Sequence, residues 1–369
     1  MSDRLAALAE LVTPGLRGGA AYHVPQFPNV VAKLDANESP YPLPPALMSG
    51  LAAELAKVPL ERYPAADGGP LRALLAAELG VPPAQVVLGN GSDELIALLI
   101  AAFGAPRPGS GHPAILYPVP TFVVYRIASV AHGAIPLEVP LHGDFTFDLA
   151  AVEAAIARQR PNIAFFALPN NPTGTLWPPE EIAALAARHP DIIVVSDEAY
   201  IAYGGRTLLG RMAELPNLVV MRTLSKIGMA GLRVGYLAAH PQLVTELEKV
   251  RPPYNLGSLN LRAATWLLEH ARAWMTESAA AVVRERPRLM AGLRALPGVR
   301  VFDSEANLVM VRIGAPMDGR ASGVWRALAD RGVLVRNFDR PGPLAGCLRI
   351  TVGTPAENDR LLEALAAVL

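Results

Sequence analysis

Residues 223–233 read TLSKIGMAGLR and set one lysine in a loop of small residues, flanked by hydroxyls and closed by an arginine. That arrangement suits a ligand with a carbonyl carbon and a phosphate tail. A free lysine amine has a pKa of about 10.4 and is a poor nucleophile at neutral pH. Covalent use of Lys226 therefore requires nearby positive charge or desolvation to lower that value, and Arg233 can supply such charge. Thr223 and Ser225 bring their hydroxyls to the same loop.

Three other segments place polar residues where an apolar run stops. In GNGSDE, residues 89–94, the backbone N–H groups of Gly91, Ser92 and Asp93 at a helix start would hold a phosphate, with the Ser92 hydroxyl as a further donor. Ser92 or Asp93 acting only as a helix cap fits equally well. In LPNNPTGT, residues 168–175, the two asparagines are turn formers, or Asn171 offers its amide to a ligand oxygen. In SDEAY, residues 196–200, an aspartate ends a strand of Ile and Val. Such a carboxylate is partly desolvated and stays ionised only beside a cation. For Asp197 that cation is either a protonated pyridine nitrogen or an arginine in an ordinary ion pair. Tyr200 lies close enough at the strand exit to hydrogen-bond a phenolate oxygen, or is a core-edge tyrosine.

The elements that must carry these groups are short branched apolar runs alternating with Ala/Leu-rich helical stretches. Strands are predicted at 86–88, 114–117, 163–167, 192–196, 218–221 and 234–237, with helices at 94–103, 122–131 and 180–188. Strands apolar on both faces and separated by crossover helices imply an α/β fold with a mostly parallel sheet covered by helices. In such sheets ligands sit beyond the carboxyl ends of the strands, where the polar segments fall. From about residue 258 the pattern changes to a long helical stretch, then strands near Val309, Val333 and Leu348, which predicts a second, smaller α/β domain. The expected division is a proline- and glycine-rich N-terminal arm or small-domain segment at 1–45, a large domain at 46–260 and a small domain at 261–369.

Composition narrows the function classes. Of 369 residues 51% are hydrophobic and 18% charged, ample for a sizeable core and incompatible with disorder. Thirty-three basic residues balance thirty-three acidic ones, so no overall field draws nucleic acid or an anionic membrane, and anion recognition must be local. The single cysteine, Cys347, forms no internal disulfide and no metal cluster. The N-terminal stretch carries Asp3 and Glu10 in an amphipathic pattern instead of a basic segment before an apolar core. The longest apolar run, 95–103, is far short of the roughly 20 residues that span a bilayer. A cytoplasmic enzyme is expected.

The glycine-rich helix start, the Asn-Pro-Thr-Gly turn, the strand-end aspartate and the Ser-Lys loop occur in one order and share one destination. Together they resemble the fold-type I pyridoxal-phosphate enzymes of the aspartate aminotransferase superfamily, from about Leu34 to the C-terminus. Within it the chain is similar to the histidinol-phosphate aminotransferase family. The segments that carry the likeness are LDANESPYPLP from Leu34, RYP at 62–64, NGSDE, YPVPTF, LPNNPTG, SDEAY, TLSKIGMAGLR, RPPYN from Arg251, ANLVMVR from Ala306 and LRITVGT from Leu348.

The resemblance implies a seven-stranded large-domain sheet and pyridoxal 5'-phosphate as cofactor. It implies that Lys226 binds the cofactor covalently and then serves as acid and base, that Asp197 pairs with the pyridine nitrogen, and that Asn171 and Tyr200 contact the phenolic oxygen. Ser225, Arg233 and the Gly91–Asp93 turn hold the phosphate, with Thr223 in the same set. Phe122 stands where a tyrosine often stacks on the ring, keeping the face and losing a hydroxyl. The spacing from Lys226 to Arg233 is one residue shorter than in many relatives. Tyr63 is implied as a phosphate ligand of the neighbouring subunit, which makes a homodimer part of the site. Arg349 is implied to grip the substrate carboxylate and Arg336 the substrate phosphate, with Asn37 also on the substrate side. The implied activity is ping-pong amino transfer between glutamate and imidazole-acetol phosphate, yielding histidinol phosphate and 2-oxoglutarate, without metal. Aromatic amino acid transaminases and threonine-phosphate decarboxylases share the cofactor set and are the alternatives. A non-catalytic, cofactor-binding regulatory role is the reading of another class, against which the intact Lys226 stands.

Overall fold

The computed structural model describes residues 8–17 and 27–369, so Asp3 and part of the expected N-terminal arm lie outside the described residues. The strands are β1 (Ala32–Leu34), β2 (Val86–Asn90), β3 (Ala114–Val119), β4 (Ile135–Pro140), β5 (Ile163–Ala167), β6 (Ile193–Asp197), β7 (Leu218–Thr223), β8 (Val234–Ala238), β9 (Val299–Val301), β10 (Leu308–Ile313), β11 (Val333–Asn337) and β12 (Cys347–Thr351). They form a seven-stranded sheet in the order β2-β8-β7-β6-β5-β3-β4 and a five-stranded sheet in the order β1-β11-β12-β10-β9. In the larger sheet β8 runs antiparallel to both its neighbours, and the remaining pairings are parallel.

Side chains alternate across the larger sheet, and this sorts the core into two layers. On β5, Ile163 and Phe165 pack with helices Gly91–Phe103 and Val124–Ala131, whereas Ala164 and Phe166 pack with helices Leu149–Gln159 and Pro179–Arg188. Both faces are thus buried, as the continuous apolar runs demand. In the smaller sheet, helices Arg272–Arg294, Arg320–Asp330 and Pro355–Val368 cover a layer built from Leu308, Val311, Val335 and Leu348. A capping box, with the Thr354 hydroxyl accepting from the Glu357 N–H and the Glu357 carboxylate from the Thr354 N–H, fixes the start of the last of these helices.

Three strands escape the sequence pattern: β1, β4 and the three-residue β9 (Val299–Val301). Strand β4 contains Pro136, Glu138 and Pro140 and is only alternately buried, which an edge position permits. Strand β1 is three residues with an exposed Lys33 in the middle, yet Ala32 and Leu34 are buried and pair in parallel with β11. The segment before the larger sheet therefore contributes a strand to the smaller one. Among the described residues no helix is long and apolar enough to cross a membrane, and no cluster of His, Cys, Asp and Glu could hold a metal ion.

Candidate active site

Strands β2, β6 and β7 run in one direction and end on Asn90, Asp197 and Thr223, so three polar segments meet at one edge of the sheet. A cavity of about 230 Å³ at that edge brings together Lys226, Asp197, Tyr200, Asn171, Phe122, Ser92, Asp93, Thr223, Ser225, Arg233, Asn37 and Arg349.

At its depth, Asp197 is 4% exposed. Its Oδ2 accepts from the Tyr125 hydroxyl at 2.6 Å and its Oδ1 from the Ala199 N–H at 3.1 Å. Burial pushes the carboxyl up to about 6, against the lowering effect of those two donors. The arginine that would have made Asp197 an ordinary ion pair goes elsewhere: Glu198, on the opposite face of the chain, takes Arg222 at 2.9 Å and accepts from the Leu208 N–H at 2.8 Å. Asp197 is left aimed into the cavity without a cation from the protein among the described residues, an environment suited to a cationic group on a ligand.

Tyr125 is a site residue that the sequence reading missed. It lies one helical turn after Phe122 and reads as core, and the structure stacks it on Phe165 at 4.8 Å between ring centres and 12° between planes. Phe122 meets it edge-on at 5.8 Å and 89°, so Phe122 and the donor to Asp197 brace each other. Burial, then the Asp197 charge, holds the Tyr125 phenol well above its ordinary range and keeps it a donor.

Lys226 sits in an irregular turn, Ser225–Met229, where Gly228 takes φ +95° and has no room for a side chain against the Trp274 ring. The Lys226 carbonyl accepts from the Tyr203 hydroxyl, and Nζ lies 5.7 Å from the centre of the Tyr200 ring. Beside it, the Thr223 hydroxyl donates to Ser225 Oγ at 2.9 Å and accepts from the Ser225 N–H at 3.1 Å.

The anion end lies where helix Gly91–Phe103 begins. Neither Ser92 nor Asp93 caps it: the cap position is Asn90, with no side-chain cap bond. That leaves the first amides and the positive end of the helix dipole for a ligand. Gly91 adopts φ +75°, and a Cβ there would come within 2.7 Å of Arg233 Nη2. Arg233 itself is in the left-handed region at φ +52°, a backbone conformation that costs a non-glycine residue on the order of 1 kcal/mol. Its guanidinium reaches Ser225 Oγ at 3.4 Å and Asp93 Oδ2 at 3.0 Å, so the shortened loop still delivers it to the cavity.

At the mouth, the asparagine pair divides its work. Asn170 is fully buried and builds the turn, accepting from the Thr121 hydroxyl at 2.7 Å and donating to the Pro120 carbonyl at 3.0 Å. Asn171 Oδ1 accepts from Arg349 Nη1 at 2.6 Å, which leaves its Nδ2 for a ligand oxygen. Arg349 Nη2 donates to the Asp35 carbonyl at 2.7 Å. Arg336 does not line the cavity. It sits on β11 directly across from Arg349 on β12, and opposite residues of an antiparallel pair share a face. Tyr63 is also elsewhere, 82% exposed and stacked on Tyr254 at 4.6 Å in a separate concavity.

A buried carboxylate awaiting a cation, a lysine amine, an aromatic face and an anion cradle fit the parts of pyridoxal phosphate. Residues 29–365 match the family described as Aminotransferase class I and II, and the chain belongs to that family. It is 46% identical to the histidinol-phosphate aminotransferase of Paracidovorax citrulli over 100% of both chains. It is 45% identical to that of Chromobacterium violaceum over 96% of this chain and 97% of that one. Among solved structures it is similar to histidinol-phosphate aminotransferase from Sinorhizobium meliloti in complex with pyridoxal-5'-phosphate, at 26% identity and a TM-score of 0.82, covering 92% of this chain and 90% of that one.

Proposed function

We propose that the chain is a pyridoxal-phosphate-dependent aminotransferase that moves an amino group between glutamate and imidazole-acetol phosphate, in the histidine biosynthetic direction. The observation that carries this reading is the convergence of Lys226, Asp197, Arg233 and Arg349 on one cavity. Identity of about 45% to named histidinol-phosphate aminotransferases over nearly the full length supports the substrate.

When bound, the cofactor supplies an electrophilic carbonyl carbon and an electron-accepting ring. Lys226 anchors it through Nζ. Once free of that anchor, the same Nζ would serve as base and then acid for the proton of the substrate α-carbon. Asp197 keeps the ring nitrogen protonated, and Phe122 covers one ring face. Asn171 Nδ2 and the Tyr200 hydroxyl donate to the phenolic oxygen. The amides of Gly91, Ser92 and Asp93, with Ser225 and Arg233, hold the phosphate, and Thr223 orients Ser225. Arg349 pairs with the carboxylate of glutamate, and Arg336, across from it, with the phosphate ester of the other substrate, because planar guanidinium groups take either anion through paired bonds. Asn37 closes the substrate side. Alternation of the two substrates in one site gives ping-pong kinetics.

The proposed unit is a cytoplasmic homodimer in which the partner subunit's Tyr63 reaches the phosphate. Segment 1–45 acts with the small domain 261–369 around the large domain 46–260. The test mixes cofactor-loaded protein separately with histidinol phosphate, phenylalanine and threonine phosphate and follows the cofactor absorption. Fastest conversion with histidinol phosphate is expected; conversion by phenylalanine alone would make the chain an aromatic transaminase.

A further inference from the structure

Three buried side chains from three distant parts of the chain form a line of hydrogen bonds that ends at the cavity. Asn37, Thr351 and Tyr200 are 1%, 2% and 4% exposed. The Asn37 N–H donates to Thr351 Oγ1 at 2.9 Å, Thr351 Oγ1 lies 3.2 Å from Asn37 Oδ1, and Asn37 Nδ2 donates to Tyr200 Oη at 2.9 Å. Asn37 is held in the left-handed region at φ +55°, and Asn307 Nδ2 donates to its carbonyl at 3.1 Å.

The line has a direction. An amide nitrogen has only protons to give, so Asn37 Nδ2 occupies a lone pair of Tyr200 and leaves the phenolic proton unspent. The Thr351 oxygen already accepts from the Asn37 N–H, and its own proton goes to Asn37 Oδ1. That contact decides which end of the amide faces Tyr200. Were the amide reversed, its carbonyl would face Tyr200 and claim the proton that a ligand needs.

We propose that Thr351 is a positioning residue: through the Asn37 amide it sets the polarity of the Tyr200 hydroxyl, so that Tyr200 gives its proton to a ligand oxygen in the cavity. This rests on the reading that Tyr200 donates to the phenolic oxygen of the cofactor. Thr351 lies two residues from Arg349 on β12, and alternate strand residues share a face, so one strand carries both the anion-gripping arginine and the start of the line.

The test compares Thr351→Val, which keeps shape and loses the hydroxyl, with Thr351→Ser, which keeps the hydroxyl, and with Tyr200→Phe. The readouts are the midpoint of the pH titration of the bound cofactor's absorption and the cofactor dissociation constant. A donor to the phenolic oxygen withdraws electron density and disfavours the protonated chromophore, so Tyr200→Phe moves the midpoint upward. Thr351→Val is expected to move it the same way and to weaken cofactor binding, while Thr351→Ser stays at the wild-type midpoint. Equal shifts in the Val and Ser variants, or a shift in Tyr200→Phe with none in Thr351→Val, overturn the relay and leave the role of Tyr200 standing. No shift in Tyr200→Phe removes both. Should Thr351→Val not fold, Asn37→Asp takes its place: a carboxylate only accepts, so an unchanged midpoint there also overturns the proposal.

Discussion

At the scale of the residue, Asp197 is the group whose chemistry depends most on what enters the cavity. Its folded value of about 6 lies above the roughly 4 of a free carboxyl, so the folded chain binds that proton more tightly than the unfolded chain. The stability that the group contributes is full below about pH 4 and is lost as pH rises through 6. Cofactor-free Asp197→Asn lacks this loss. Its stability relative to the parent should rise between about pH 4 and 6 and then level off, by on the order of 2 to 3 kcal/mol, as read by urea unfolding at several pH values. A gap that does not change with pH contradicts the burial account. The cation-seeking character of Asp197 was legible in the sequence, since SDEAY ends an Ile/Val run. Its donor was not, because a tyrosine one turn into an apolar helix looks like core until Phe165 and Asp197 are seen to close on it.

At the scale of the element, the anion cradle is made by how closely β8 approaches the start of helix Gly91–Phe103. A Cβ on Gly235 would lie 2.5 Å from the Ser92 nitrogen and overlap the backbone of Gly91, which has no flexible end to move aside. Gly235→Ala should therefore shift the helix start, weaken cofactor binding about tenfold or more and destabilise the fold by about 1 to 3 kcal/mol. Gly210→Ala, where nothing lies within 4 Å of the added carbon, is the control expected to do neither. Equal cofactor affinity in both variants, measured by absorption titration, contradicts the cradle. Element positions were readable wherever strands were uniformly apolar, as in β5. The sequence pattern stopped short at β6 and β7 because their last residues, Asp197 and Thr223, are the polar ones the site uses. It passed over β1 and β4 because Lys33 and two prolines disguise strands that only their sheet neighbours stabilise.

At the scale of the whole molecule, Tyr63, which the complete site is expected to use, is absent from the lining of the chain's own cavity. Tyr63 projects from another face, largely exposed, which a role across a subunit boundary requires. Mixing chains carrying Lys226→Ala with chains carrying Tyr63→Ala then has a defined outcome. After subunit exchange, a mixed dimer holds one site with both an intact Lys226 and the partner's Tyr63. Transaminase activity should appear well above that of either variant alone; no gain on exchange contradicts the shared site. The same scale explains what the residue order hides: Arg336 and Arg349 are neighbours only because β11 and β12 pair antiparallel, and Asn37 meets Thr351 only because β1 joins the smaller sheet.

The covalent assignment has a direct readout in the chain's own cleavage pattern. Arg222, Lys226 and Arg233 are successive trypsin sites, and a blocked Lys226 leaves residues 223–233 as one undivided peptide. Cofactor-loaded protein reduced with borohydride and digested should yield that peptide carrying the mass of one phosphopyridoxyl group. Cleavage after an unmodified Lys226, with the added mass on another lysine, would contradict the account.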